Sequence, residues 1–380
     1  MIKSSIFKSI LYLFFLIPVF LSCQQHDTKY YLDKAQIEIN AGNFLSALEN
    51  CSKAIEIDEN CLDAYYSRAI IYNRIDKYRL AISDLSHVLN HNPLYQYAYT
   101  ARGKAYYKLG EKKLAIDDFN SEIRNYPNQV EGLHNRGFYY YETEQYELAL
   151  KDYNKVIKLN PDNPEYYINR AFIHSEMNNP DLAIDDFTTV IRNDSTFKFA
   201  HTYRGFLYNK LGFPDLAISD YNFEIQHYPD EFEVLQYRGF LYYEQQKYDL
   251  ALIDYNKAIG LNPRHAKSFL ERGLVYYEKS EYELAINDFT AAINLNLKDD
   301  VVFRYRAKCY MNIKEYESAC SDYTKAIEVN PKNFGLYMLR GELYHTLGKK
   351  DMAIADYKRA ADLGHKEASH KLMALFRIDY

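Results

Sequence analysis

Residues 135–161 read NRGFYYYETEQYELALKDYNKVIKLNP, and residues 237–263 read YRGFLYYEQQKYDLALIDYNKAIGLNP, identical at 18 of 27 positions. The offset of 102 residues is three times 34. Alanines recur at that smaller spacing without a break, as Ala47, Ala81, Ala115, Ala149, Ala183, Ala217, Ala251, Ala285, Ala319 and Ala353. Ten consecutive repeats of 34 therefore cover residues 28–367. A period of this length marks a stacked array of one small structural module, not conventional globular domains.

With the alanine set as position 20, residues 130–163 form one complete repeat. Its first half carries Leu133, Arg136, Gly137, Tyr140 and Tyr141 at spacings of three and four, and its second half carries Leu148, Ala149, Tyr153, Val156 and Ile157 in the same manner. Both halves predict amphipathic helices, here termed A and B. Position 32 is proline in six repeats (Pro93, Pro127, Pro161, Pro229, Pro263 and Pro331), which stops helix B because proline lacks the amide donor and disfavours helical geometry in the residue before it. Position 8 is glycine or alanine in all ten repeats, and position 24 is tyrosine or phenylalanine in eight, from Phe119 to Tyr357. Repeated glycine inside a helix costs about 1 kcal/mol per site against alanine, so its use at one place points to a close crossing, expected against position 20.

Small residues at 8 and 20, aromatics at 11 and 24, proline at 32 and the period of 34 resemble the tetratricopeptide repeat (TPR). The resemblance implies an all-α fold: a TPR solenoid, a right-handed superhelix of about ten helix-turn-helix repeats with a concave groove lined by the A helices. It implies binding of a protein segment in that groove, with no enzyme activity, cofactor or metal. The physics agrees, since one hairpin cannot cover its own apolar faces and gains stability from its neighbours. The dicarboxylate clamp of chaperone-binding members needs Lys at 5 and Asn at 9 of one repeat, which no repeat here has.

Several columns depart from the family pattern. Position 7 is arginine in nine repeats where the family has leucine, and position 23 of the same repeats is aspartate. These positions lie level across a hairpin, so Arg136 with Asp152, or with its counterpart one repeat back, and likewise Arg238 with Asp254, stand for a predicted ladder of structural ion pairs; an anion-binding track is the competing reading. Position 27 is Glu122 and Glu224 in repeats three and six, where a buried carboxylate is expected to pair with an arginine of the neighbouring helix. His87 and His91 have metal-ligand spacing on one helix but lack a third ligand. Cys309 and Cys320 fall level across one hairpin, leaving a disulfide and two free thiols both open, whereas Cys51 and Cys61 are not placed to bridge.

Positions 2, 5, 9, 12 and 13, exposed on the inner face in this family, define the candidate partner-binding groove. Position 9 supplies Phe138, Phe172, Phe206 and Phe240, position 12 Tyr141, Tyr243 and Tyr277, and position 13 Glu142, Glu244 and Glu278. A row of large apolar residues edged by carboxylates suits an extended or helical partner segment with apolar anchors and basic flanks. Residues 135–161 match the adjacent repeat, 169–195, at only 9 of 27 positions, so residues 96–197 and 198–299 read as a duplicated block of three repeats. The duplication predicts either two copies of one subsite, centred on Phe138 and Phe240, or a scaffold that duplication merely lengthened.

Residues 1–22 break the pattern. Lys3 and Lys8 precede an apolar run over 10–20, and Phe20-Leu21-Ser22-Cys23 resembles a bacterial lipobox, with Phe20 in place of the commoner leucine. The resemblance implies a lipoprotein signal peptide over 1–22, lipidation of Cys23 and a short tether over 23–27. Beyond the repeats, 368–380 are expected to form a C-terminal capping helix and tail. Removal of residues 1–23 moves the net charge from −6 to −8, which disfavours a nucleic-acid partner. No HExxH, GxSxG or phosphate-loop constellation is present. The sequence therefore predicts a protein-interaction scaffold anchored by lipid in the bacterial cell envelope, at the outer membrane facing the periplasm. A glycan- or peptidoglycan-binding envelope lipoprotein is the alternative.

Overall fold

A computed structural model describes residues 26–380; the segment expected to be a signal peptide, 1–22, and the expected lipidation site Cys23 lie outside the described residues. The described chain is helical hairpin after helical hairpin, with 21 helices and no strand among the described residues. Repeat four shows the pattern: helix A spans Val130–Glu142 and helix B Tyr146–Leu159. Among the described residues, 26–186 and 187–380 form two compact bodies, and the division falls inside helix B of repeat five, Pro180–Asn193. Within each body, helix B of one repeat packs on helix A of the next. In the first body Leu85, Val88, Tyr95, Ala98 and Ala101 share one such core. In the second, Phe289, Val302, Leu336 and Tyr357 belong to a core that also receives Leu372 of the last helix, Lys366–Phe376.

The close crossing at position 8 is present, but its nearest neighbour is the position 24 ring. A Cβ placed on Gly103 would lie 2.7 Å from Phe119 and 3.2 Å from the carbonyl of Ala115, and one on Gly137 would lie 3.1 Å from Tyr153. Glycine thus makes the notch into which the ring fits. Tyr153, Tyr221, Tyr255 and Tyr357 are all fully buried in such notches, each contributing about 1.5–3 kcal/mol of burial.

Every A–B turn places position 15 in the left-handed region. Only four of these residues are glycine (Gly42, Gly110, Gly212 and Gly348); the rest are Asp76, Glu144, Asn178, Gln246, Ser280 and Lys314. The geometry closes helix A: the N–H of Gln145 donates to the Tyr140 carbonyl at 2.8 Å, and that of Glu144 to the Tyr141 carbonyl at 3.0 Å. A side chain in this conformation costs about 1–2 kcal/mol, partly offset by the freedom glycine loses on folding. Gln246→Gly, at φ 57°, is therefore expected to stabilise the protein by about 1 kcal/mol in urea unfolding, and a loss of stability would contradict the strain assignment.

Cys51, Cys309 and Cys320 are free thiols, so the level placement of Cys309 and Cys320 has not produced a bridge. His87 and His91 lie with ring centroids 4.3 Å apart in a tilted pair, and His87 stacks on Tyr65 at 4.1 Å.

Candidate functional site: the inner face of the A helices

The arginine column is structural. Arg136 donates from Nε and Nη2 to the two carboxylate oxygens of Asp152, both at 2.7 Å, and Arg238 grips Asp254 in the same way at 2.8 and 2.5 Å. The same bidentate pair recurs in all nine repeats that carry the arginine. Each lies within one repeat, which settles the partner of Arg136 as Asp152. Hydrogen bonding to Asp152 raises the Arg136 pKa against the desolvation that opposes it, so the guanidinium stays charged.

A third contact escaped the sequence reading. Nη1 of each arginine donates to position 25 of the preceding repeat, as Arg136 does to Asn120 Oδ1 at 2.8 Å and Arg238 to Asn222 Oδ1 at 2.7 Å. The acceptors are Ser52, Ser86, Asn120, Asn154, Thr188, Asn222, Asn256, Thr290 and Thr324. The signal was available: position 25 is Ser, Asn or Thr in repeats one to nine, and arginine fills position 7 in repeats two to ten. Repeat ten has Lys358 at position 25, and repeat one has Lys34 and Asn50 where the pair would be. Eight of the guanidinium groups also lie 5.7–6.0 Å from the ring of the position 11 tyrosine one turn on, as Arg136 does over Tyr140 at 5.8 Å. With its charge matched and its donors directed into the hairpins, this column is no anion track.

Glu122 and Glu224 do not pair with arginine. Each caps helix A of its own repeat: Glu122 Oε1 accepts from the Tyr97 N–H at 3.2 Å, and Glu224 Oε1 from the Phe199 N–H at 2.8 Å. Tyr97 and Phe199 have left-handed backbones, with φ of 66° and 69°, so these two A helices start at Ala98 and Ala200, two positions late. The free amides at the helix start take the carboxylate in place of an arginine, as an anion at the positive end of the helix. Burial pushes the Glu122 carboxyl up to about 7, although the amides of Tyr97 and Thr100 pull it down.

Spacing puts positions 2, 5, 9, 12 and 13 on one face of helix A. The predicted groove residues divide between the two bodies. In the first, Phe138 and Phe172 are half-buried, and Phe138 meets the edge of Tyr107 at a centroid distance of 6.0 Å. Tyr141 leans on Tyr146 at 6.2 Å, and Glu142 is exposed. In the second, Phe206 is 51% and Phe240 43% exposed. Tyr243 and Tyr277 lean on Tyr248 and Tyr282, each at 6.0 Å, while Glu244 and Glu278 are exposed. Burial first, then the charge of Glu278, pushes the Tyr243 phenol up to about 12, so it stays a neutral hydrogen-bonding group. Tyr277 also meets Tyr305 edge-on at 5.1 Å, and Lys308 Nζ lies 4.8 Å from the Tyr305 ring. The expected even row of apolar side chains is thus uneven: open at Phe206 and Phe240, and half-covered at Phe138, Phe172 and Leu274.

Models of the TPR repeat match residues 137–178 and 239–280, and tetratricopeptide-repeat models match 28–61, 74–130, 266–299, 306–333 and 322–355. The first two stretches lie 102 residues apart, the spacing of the duplicated block. Over 63 residues the chain is 40% identical to sperm-associated antigen 1 of Mus musculus, a match spanning 17% of this chain and 7% of that protein. Among solved structures, the C-terminal part of a TPR repeat-containing protein from Cytophaga hutchinsonii aligns with a TM-score of 0.55 and 23% identity, covering 63% of this chain and 99% of that one. A tetratricopeptide repeat protein from Parabacteroides merdae aligns with a TM-score of 0.41 and 21% identity, over 76% of this chain and all of that one. The matched models together span more than half of the chain and keep one register throughout, so the chain belongs to the tetratricopeptide-repeat family.

Proposed function

We propose that the protein is a protein-interaction scaffold that holds a partner segment on the inner face of its A helices. The observation that carries this reading is the exposure of Phe206 and Phe240 at position 9 of consecutive repeats, with the exposed carboxylate of Glu244 one turn beyond Phe240. Large aromatics left open at one position of successive A helices are costly unless something covers them. Affinity capture from detergent-solubilised membranes is expected to recover a partner protein with the wild-type chain and to lose it with Phe206→Ala/Phe240→Ala. Equal recovery by both chains, or recovery of glycan in place of protein, would overturn the reading.

The same proposal places the scaffold at a bacterial envelope membrane, the outer membrane facing the periplasm, held by lipid on Cys23. Its support is the run Phe20-Leu21-Ser22-Cys23 after a charged start and an apolar stretch. Metabolic labelling with an alkyne fatty acid is expected to mark the wild-type chain and not Cys23→Ala. Label retained by the variant would refute the anchor while leaving the inner face unaffected.

A further inference from the structure

The two copies of the duplicated block have diverged at the centre of the inner face. In the first body, Lys104 fills position 9 of repeat three, and Glu131 and Glu165 attract it against the desolvation that lowers its pKa. His134 Nε2 lies 3.8 Å from Glu165 Oε1, and Tyr107 covers the edge of Phe138. This copy is occupied by its own side chains. In the second body the residues at the same places, 102 positions on, are Phe206 for Lys104, Asn209 for Tyr107, Gln236 for His134 and Lys267 for Glu165. Gln236 turns away to Ser268 Oγ at 2.7 Å, and Lys267 pairs with Glu271 at 3.5 Å. Asn209 brings no ring to cover Phe240, which explains why Phe240 is open.

Charge sets what fits there. Glu244 is exposed and forms no ion pair among the described residues, whereas Glu278 has Lys308 of the next repeat in electrostatic reach. One turn beyond Phe206, on the same edge of the phenylalanines as Glu244, Lys210 takes position 13 of repeat six, also exposed and without an ion pair among the described residues. The site therefore has an apolar centre with a negative end at repeat seven and a positive end at repeat six.

We infer that repeats six to eight bind a peptide segment that sets a bulky apolar side chain on Phe206 and Phe240 and a lysine or arginine against Glu244. The inference rests on the proposed inner-face binding and adds the chemistry of the partner. The apolar anchor displaces water from two open rings, and the basic residue supplies a charge-assisted contact that fixes direction along the array. Copy one takes no equivalent segment, because Lys104 and Tyr107 stand where the anchor would go.

Random-peptide display against the full chain provides the probe. Enriched peptides are expected to pair a bulky apolar residue with lysine or arginine. An enriched peptide, labelled with fluorescein, is expected to bind Phe240→Ser and Glu244→Lys at least about tenfold more weakly than wild type, and Glu142→Lys within about twofold. Replacing its basic residue with glutamate is expected to restore binding to Glu244→Lys. Both exposed substitutions leave the core intact, and circular dichroism verifies this. Peptides that enrich but ignore Phe240→Ser and Glu244→Lys would overturn this inference alone; failure of any peptide to enrich would count against inner-face binding itself.

Discussion

Arg136→Leu is expected to destabilise the protein by on the order of 3 kcal/mol or more in urea unfolding, because it strands the buried carboxylate of Asp152. Asp152 is 2% exposed and takes both of its charge-assisted bonds from Arg136, so no water replaces the lost partner cheaply. The substitution also removes the bond to Asn120 that ties repeat four to repeat three. Combining Arg136→Leu with Asp152→Leu is expected to recover much of the loss, since a buried pair replaced as a whole by apolar side chains leaves no charge unpaired. A double variant no more stable than the single one would refute the pair as the cause.

Glu122→Gln is expected to become more stable than wild type as pH rises, by on the order of 3 kcal/mol at pH 8 relative to pH 4. Glu122 is fully buried with its carboxyl pushed from the ordinary 4.5 up to about 7. Below pH 4.5 the group is protonated in both folded and unfolded chains, and the fold loses nothing. Between 4.5 and 7 the unfolded chain releases its proton while the folded one keeps it, so stability falls as pH rises, and above 7 the loss levels off. Glu224, also raised by burial, acts in the same direction. Half-buried His134, lowered to about 3 by desolvation, acts oppositely over an overlapping range, which is why the comparison is the difference between wild type and Glu122→Gln at each pH. A difference that stays constant from pH 4 to 8 would remove Glu122 as a titrating group of the fold.

The parts of the structure that were legible in the sequence are those fixed by the period. Once Ala149 defines position 20, Arg136 and Asp152 fall level on facing helices, and both their identity as partners and their structural role follow. Position 25 was harder because Ser, Asn and Thr alternate there and the contact runs to the following repeat; only the one-repeat offset between the two columns reveals it. Glu122 was misread because its partner is a backbone amide, exposed by a left-handed Tyr97 that no glycine announces. The turn at position 15 has the same character, since Gln246 and Lys314 adopt a backbone that sequence associates with glycine. The inner face was legible as a surface but not as a site. Phe138 and Phe240 look equivalent in sequence, and what separates them is a neighbour one repeat back, Tyr107 in one copy and Asn209 in the other.

That neighbour effect makes position 240 the place to test the scaffold reading. A photo-crosslinking phenylalanine analogue at position 240, in cells making the full chain, is expected to give one discrete protein adduct. The same analogue at Leu250, an exposed residue on helix B of the same repeat, is expected to give none. Adducts of equal yield at both positions, or an adduct at 250 alone, would contradict a scaffold that binds through the inner face of its A helices.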